Sequence, residues 1–172
     1  MPFSSSSPSS SGESGFTLFE LIVVISIVGL LAAALLDRLR FYQELAEKAA
    51  MEQTVGIIRS AIHLKIAELI SQGRISSIPG LARENPMNLL AEKPPNYAGE
   101  FAGKAPSANG IWYYDSRDHL LVYRVEMGEH FSSPAGQKVR FRLQALPGKR
   151  IGKDSIELNG LVLSQVDPYR WF

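Results

Sequence analysis

The sequence predicts an α+β protein in which one long N-terminal helix packs on a small antiparallel sheet. Three observations favour this class: an apolar run that begins near residue 16, a helical apolar stripe that follows it, and alternating strands in the last third of the chain. The helix is predicted over residues 16–72, because no proline occurs between residues 36 and 72 and good helix formers are abundant there.

The first part of this helix, residues 16–36, holds a single carboxylate, Glu20, in an otherwise uncharged apolar run. At about 1.5 Å per residue, the run is long enough to cross the ~30 Å hydrocarbon core of a bilayer. A charge inside a membrane helix is costly, so it usually has a partner or a task. We therefore expect residues 16–36 to span the membrane and Glu20 to meet a cation at the same depth.

The second part of the helix, residues 37–73, is amphipathic and is expected to continue into a soluble domain. Its apolar residues recur at spacings of three and four: Met51, Val55, Ile58, Ile62, Ile66 and Leu69. This spacing places them on one face of a helix, and Gly73 is the expected C-cap. Such a face must be buried against another part of the chain.

The partner of that face is expected in an antiparallel β region, residues 110–172. Residues 111–115 and 119–125 are rich in aromatic and β-branched side chains, and a short turn at residues 116–118 separates them. This pattern predicts a hairpin. Its large aromatic residues are interpreted as core and sheet-face packing: Trp112, Tyr113, Tyr114 and Tyr123.

Two further strands are predicted beyond the hairpin. In residues 138–143, apolar and basic side chains alternate, which is the pattern of a strand with one buried and one solvated face. Residues 156–166 supply the last strand. Residues 74–109, between the helix and the sheet, contain several prolines and are expected to be rich in loops.

The apolar run begins inside a specific signal, the sequence Gly15-Phe16-Thr17-Leu18-Phe19-Glu20. This signal closely resembles the class III signal of type IV pilins and of the pseudopilins of type II secretion systems. The resemblance implies that a prepilin peptidase cuts between Gly15 and Phe16 and methylates the new Phe16 amino terminus. Residues 1–15 would then be a leader that is removed.

The same resemblance implies a pilin-like fold and a structural role, as a pseudopilin of a type II secretion pseudopilus that assembles through its N-terminal helix. Glu20 would pair with the Phe16 ammonium of a neighbouring subunit, and Gly29 would allow close approach of helices. Expected partners are the prepilin peptidase, other pilin or pseudopilin subunits and an assembly platform in the inner membrane. The chain would cross the inner membrane once, with its C-terminal domain in the periplasm.

Two other interpretations remain open. A major or minor subunit of a type IV pilus would carry the same signal, although many such pilins have a C-terminal disulfide and this chain has no cysteine. Outside the family, a signal-anchored periplasmic binding module is the alternative. The apolar segment is also open to interpretation as a secretory signal peptide, since Ala32-Ala33-Ala34 satisfies the small-x-small rule for signal peptidase. Against it, residues 1–15 contain no Lys or Arg, whereas a secretory signal begins with basic residues.

No cofactor is expected. The major pseudopilin carries a calcium site in its C-terminal loops, and Asp115 and Asp118 are the nearest acidic pair here. Two carboxylates fall short of the about six to eight oxygens that calcium takes, so we interpret both as turn-forming residues. The histidines show no metal-ligand spacing: His63, His119 and His130.

Neither catalysis nor nucleic-acid binding is expected. The sequence contains no HExxH motif, phosphate-binding glycine loop or nucleophile elbow. The formal net charge of +1 gives no reason to expect a nucleic-acid partner. One basic set could meet phosphates, but we interpret it as the solvated face of a strand and its turn: Lys138, Arg140, Arg142, Lys149, Arg150 and Lys153.

Overall fold

The structure is a computed structural model that describes residues 16–151 and 156–172. The chain divides into two compact units after Leu39. Helix α1 (Leu18–Ser71) contributes to both of them. Its bounds agree with the helix predicted over residues 16–72, so the long N-terminal helix is confirmed.

In the second unit, α1 buries the predicted apolar stripe. Five of its members are buried in the main core, and Ile66 is partly buried against that core. The helix ends in a Schellman motif: the Gly73 N–H donates to the Ile70 carbonyl at 3.0 Å, and the Arg74 N–H donates to the Leu69 carbonyl at 2.8 Å. Gly73 has a φ of 69°, the left-handed conformation that glycine adopts without steric cost. The predicted C-cap is therefore confirmed.

Seven strands follow the helix within residues 72–151 and 156–172. Their bounds are β1 (Tyr97–Phe101), β2 (Ile111–Asp115), β3 (Leu120–Arg124), β4 (Phe131–Ser132), β5 (Lys138–Ile151), β6 (Ile156–Gln165) and β7 (Arg170–Trp171). Five of them form one sheet in the order β1-β2-β3-β5-β6, and β4 pairs with β7 in a second, two-stranded sheet. Two 3₁₀ helices, Ile75–Arg83 and Pro86–Leu89, lie between α1 and β1.

The predicted hairpin is present as β2 and β3, which pair antiparallel from Ile111 opposite Arg124 to Asp115 opposite Leu120. β3 pairs antiparallel with β5, and β5 with β6. The alternation predicted for residues 138–143 is confirmed. Val139, Phe141 and Leu143 are buried in the main core, because every second side chain of a strand points to the same face.

One pairing departs from the sequence analysis. β1 pairs parallel with β2, so the sheet is mostly rather than wholly antiparallel. β1 also lies in residues 74–109, which were expected to be loop-rich. Its sequence, Tyr-Ala-Gly-Glu-Phe, has no β-branched residue, and Gly99 adopts a φ of 108°. Tyr97 and Phe101 favour a strand, but the glycine between them weakens the signal, and the sequence does not specify the pairing with β2.

The core lies on both faces of the sheet. The main cluster joins the α1 stripe to one face, where the rings of Trp112 and Tyr123 have centroids 4.9 Å apart. A smaller cluster on other side chains of β2 and β3 contains Tyr113, Leu120 and Val122. The interpretation of these aromatic residues as packing residues is confirmed by their burial.

Candidate functional site

The N-terminal segment carries the signal that the sequence singled out. α1 begins at Leu18, directly after Thr17, whose Oγ1 accepts a hydrogen bond from the Glu20 backbone N–H at 3.2 Å. The Thr17 carbonyl accepts the Leu21 N–H at 3.1 Å. Thr17 is thus the N-cap of α1, and the cap fixes where the helix begins. Gly15 lies outside the described residues, so the cleavage junction stays a prediction.

Glu20 lies in the first turn of α1 and is exposed. Thr17 and Glu20 have the spacing of a capping box, and a carboxylate at this end of a helix interacts favourably with the helix dipole. No ion pair found among residues 16–151 and 156–172 includes Glu20. Its carboxylate is therefore available to a cation supplied from outside the described chain.

Residues 16–36 are exposed throughout. α1 contains a segment long and apolar enough to cross a membrane, and none of that segment is buried. A Cβ placed on Gly29 would meet nothing within 4 Å, so no neighbour within the described chain requires a glycine there. A helix that is apolar on all sides needs an apolar environment supplied by lipid or by other helices.

A second polar cluster lies near the start of the second unit, where Glu44 of α1 is buried. Its Oε1 accepts hydrogen bonds from the His130 backbone N–H at 2.9 Å and from the Trp171 Nε1–H at 3.0 Å. Its Oε2 lies 2.8 Å from His130 Nδ1. Burial raises the pKa of Glu44, but the hydrogen bonds from His130 and Trp171 outweigh burial and hold this pKa below its usual value.

Glu47 makes a similar set of contacts one turn later. Its Oε1 accepts from the Tyr123 hydroxyl at 2.9 Å and from the Glu126 N–H at 2.7 Å, and its Oε2 accepts from the Met127 N–H at 2.7 Å. Burial and the Glu47 carboxylate together raise the pKa of Tyr123. Glu44 and Glu47 thus fix the segment between β3 and β4 onto α1.

The sequence analysis did not identify these two glutamates. A signal was present, because Glu44 lies seven residues before Met51 and therefore on the same face of α1 as the apolar stripe. A carboxylate in line with a buried stripe needs donors from the element that packs there. The donors are backbone N–H groups in residues 126–130 and side chains of Tyr123 and Trp171, which no sequence pattern marks as partners.

The candidate calcium residues lie at the β2–β3 turn. The Asp115 carboxylate accepts the Arg117 N–H at 3.0 Å, which is the contact of a turn-forming aspartate. Asp118 belongs to the same turn. Within the part of the chain that the structure describes, no group of three or more His, Cys, Asp or Glu residues could hold a metal ion.

The basic set is partly engaged within the chain. Arg140 makes a bidentate ion pair with Asp167, at 2.5 Å from Nε to Oδ2 and 2.7 Å from the terminal nitrogen to Oδ1. This pairing lowers the pKa of Asp167. Lys153 and the side chains of Lys149 and Arg150 lie outside the described part of the chain.

Comparison with known proteins locates one match, at the N-terminus. Residues 10–36 match the family described as the prokaryotic N-terminal methylation motif. No curated protein and no solved structure matches the chain. The motif occurs here with a long N-terminal helix followed by a small, mostly antiparallel sheet, which is a pilin-like layout. More particularly, the chain carries the prepilin-type signal that type IV pilins and pseudopilins share.

Proposed function

We propose that the chain is a structural subunit of the pseudopilus of a type II secretion system, a helical filament rooted in the inner membrane. One observation carries this proposal: the methylation motif overlaps an apolar helical segment that is exposed throughout residues 16–36. Apolar surface of this extent is stable only in lipid or against other apolar helices. A filament subunit needs both environments, lipid before assembly and neighbouring helices after it.

Processing would create the group that Glu20 needs. Cleavage between Gly15 and Phe16 by a prepilin peptidase releases residues 1–15 and leaves a methylated Phe16 ammonium at the new terminus. Glycine before the scissile bond offers the peptidase a backbone without a side chain. Before cleavage, the chain would be a single-pass inner-membrane precursor with its C-terminal domain in the periplasm.

Assembly would bring the Phe16 ammonium of one subunit to the Glu20 carboxylate of another. Both groups lie near the same end of the apolar helix, so only particular axial offsets between subunits join them. Wrong offsets leave both charges unpaired in an apolar environment, which is costly. Glu20 would therefore select the register of assembly as well as contribute to affinity.

The same signal would serve a major or minor subunit of a type IV pilus, which is the second candidate. The absence of cysteine favours the pseudopilus, because many pilins close a C-terminal loop with a disulfide that this chain cannot form. Deleting the gene distinguishes the two. Loss of protein secretion with intact surface fibres supports the pseudopilus, and loss of surface fibres with intact secretion supports the pilus.

The deciding experiment is the intact mass of the mature chain, followed by incorporation of Glu20→Ala into filaments. A mature terminus at Phe16 is expected; a terminus at residue 35 would mean that ordinary signal peptidase acted and would overturn the prepilin-type processing. Glu20→Ala is expected to insert and to be cleaved normally but to be lost from filaments made by sibling subunits. Glu92→Ala, which removes an exposed carboxylate from the soluble unit, is the control. Normal incorporation of Glu20→Ala would overturn the pairing.

A further inference from the structure

An exposed aromatic patch lies at the start of the second unit. We define it as Phe41, Tyr42, Leu45, His130 and Phe172. Tyr42 is 62% exposed and Phe172 40% exposed, although both are large and apolar. The ring of Phe41 lies 5.2 Å from that of Phe172 and 5.9 Å from that of Tyr42, measured between centroids. Phe172 stacks on His130 at 5.3 Å.

The patch is preformed, because several contacts fix the end of the chain against α1. The Lys48 ammonium donates to the Trp171 carbonyl at 3.2 Å and lies 5.9 Å from the Phe172 ring centroid. β7 pairs with β4, which places Trp171 opposite Phe131. A surface that is already ordered binds a partner without a large loss of conformational entropy.

Chain connectivity limits how far this patch can lie from the membrane. Phe41 follows Leu36, the last residue of the apolar run, by five residues. Five residues span about 7.5 Å in a helix and at most about 18 Å when fully extended. The headgroup region adds roughly 5 to 8 Å on each side of the hydrocarbon core. Phe41 and Tyr42 therefore lie in or beside that region whenever residues 16–36 span the bilayer.

The chemistry of the patch fits this location. Aromatic residues concentrate where a membrane helix meets the headgroups, because their rings combine apolar surface with a polar edge. Arg40, directly before Phe41, and Arg170, in β7, are exposed cations. Glu44 and Glu47 are bonded within the domain, which leaves Glu129 as the exposed carboxylate nearest to His130 in sequence. Exposed cations close in sequence to these aromatic residues favour anionic phospholipid headgroups.

We propose that the aromatic patch docks the soluble domain onto the headgroup region of the bilayer that holds the chain's own N-terminal helix. This inference rests on the membrane insertion in the proposed function. Docking holds the C-terminal end of the chain at the membrane surface in the unassembled subunit. A subunit that enters a filament must then release the patch from lipid.

The test uses the full chain in nanodiscs that hold one copy each, with anionic or with zwitterionic phospholipid. The chain has no cysteine, so single spin labels can be placed at Ser132→Cys, in β4 beside the patch, and at Ser76→Cys as the distant control. Each label reports its collision rates with oxygen, which concentrates in lipid, and with a water-soluble nickel chelate. We expect a several-fold higher ratio of oxygen to nickel collisions at Ser132→Cys than at Ser76→Cys, and a higher ratio in anionic lipid.

Patch variants then show which residues cause the difference. Tyr42→Ser and Phe172→Ser are expected to lower the ratio at Ser132→Cys. Leu64→Ser, which removes an equally exposed apolar side chain far along α1, should leave the ratio unchanged. Phe172 also packs on His130, whereas Tyr42 contacts only the neighbouring Phe41 ring among the aromatic pairs of the described residues, so Tyr42→Ser tests docking without loosening the chain end.

The outcomes separate this inference from the proposed function. A chain that alkaline carbonate extracts from the bilayer overturns the proposed insertion and the docking with it. An inserted chain whose Ser132→Cys label is no more accessible to oxygen than the control overturns the docking alone. A difference that appears only with two or more copies per nanodisc also overturns it, because a second copy of the chain would then cover the patch.

Discussion

Helix α1 contains two apolar regions, and they differ in whether their side chains are buried within their own chain. Residues 16–36 are apolar on all sides and wholly exposed, whereas residues 51–69 are apolar on one face and bury it in the core. The burial of the second region follows from its period, because a stripe of spacing three and four fits one sheet face. An all-round apolar surface has no such single partner. It requires lipid or several neighbouring helices.

Two carboxylates on the same helix show the same contrast. Glu44 is buried and receives hydrogen bonds from His130 and Trp171 within its own chain. Glu20 has no ion-pair partner within the described residues. Glu44 therefore illustrates what a carboxylate needs in an apolar setting. Its donors come from another part of the same chain, and those of Glu20 are proposed to come from another subunit.

The largest expected effect comes from a substitution in the buried apolar region of α1. Ile62→Asp places a charge among the core residues, at a side chain that is 1% exposed. We expect the free energy of unfolding of the second unit to fall by at least about 4 kcal/mol, because a buried charge without a partner is strongly destabilising. Thermal unfolding of the detergent-solubilised chain, followed by near-ultraviolet circular dichroism, measures the loss.

Leu64→Asp is the matched control for that prediction. Leu64 lies two residues later on α1 and is 72% exposed. The same charge should there change the free energy of unfolding by less than about 0.5 kcal/mol. Equal effects at Ile62 and Leu64 would mean that the face of α1 assigned to the core is wrong.

The α1 stripe also shows how much of the fold a sequence reveals. The stripe, the β2–β3 hairpin and the alternation of Val139 and Phe141 were predictable, because each has a period set by one element alone. β1 was not, because Gly99 in the middle of a five-residue strand weakens its signal and its pairing depends on the rest of the sheet. β4 and β7 are two residues each, too short to carry any period.

The candidate site also has one part that was predictable from the sequence and one part that was not. The Gly15-to-Glu20 signal is contiguous in sequence, so it could be recognised directly and the methylation motif confirms it. The Glu44 cluster joins residues more than eighty positions apart, His130 and Trp171 among them. Only the folded chain brings these groups together, and single-sequence patterns do not encode such distant pairs.

The next largest effect concerns Glu44. Glu44→Ala removes the acceptor for the Trp171 indole and the His130 backbone N–H, and leaves donors without partners near the core. We expect a loss of about 2 to 3 kcal/mol in the free energy of unfolding, measured by urea titration. Glu52→Ala, at an exposed position of α1, should cost far less. A comparable loss at both positions would refute a specific role for Glu44.

The same cluster predicts a dependence on pH. Because hydrogen bonds from His130 and Trp171 outweigh burial, the pKa of Glu44 in the folded chain is lower than the ordinary carboxyl value of 4.5. Its contribution to stability is therefore complete above that value and is lost as the pH falls through the lowered pKa. The stability difference between the native chain and Glu44→Gln should be constant near neutral pH and shrink below about 4.5. A difference that grows on acidification would reverse the assigned sign.

Alanine substitutions at Gly29 and Gly56 are expected to have smaller effects that distinguish the two apolar regions of α1. A Cβ at Gly29 and a Cβ at Gly56 would each meet nothing within 4 Å, so both glycines can be replaced by alanine without a clash in the chain. Alanine favours the helix at either position by roughly 0.5 to 1 kcal/mol. We expect Gly56→Ala to raise stability and leave filament assembly unchanged. Gly29→Ala should reduce incorporation into filaments, because neighbouring helices would approach closely there. Normal incorporation of Gly29→Ala would remove Gly29 from the assembly surface.

An effect of similar size is expected at the end of α1, where the conformation of one residue rather than a partner decides the outcome. Gly73 has a φ of 69°, and its surroundings leave room for a side chain, since a Cβ there would meet nothing within 4 Å. Gly73→Ala should nevertheless cost about 1 kcal/mol, because an L-residue with a Cβ is strained in the left-handed region. Gly73→Asn should cost less, because asparagine tolerates this conformation better than alanine.

Urea titration of the three chains measures the ranking of their stabilities: glycine most stable, asparagine next and alanine least. An alanine variant as stable as the native chain would show that the left-handed conformation at residue 73 carries no strain for alanine.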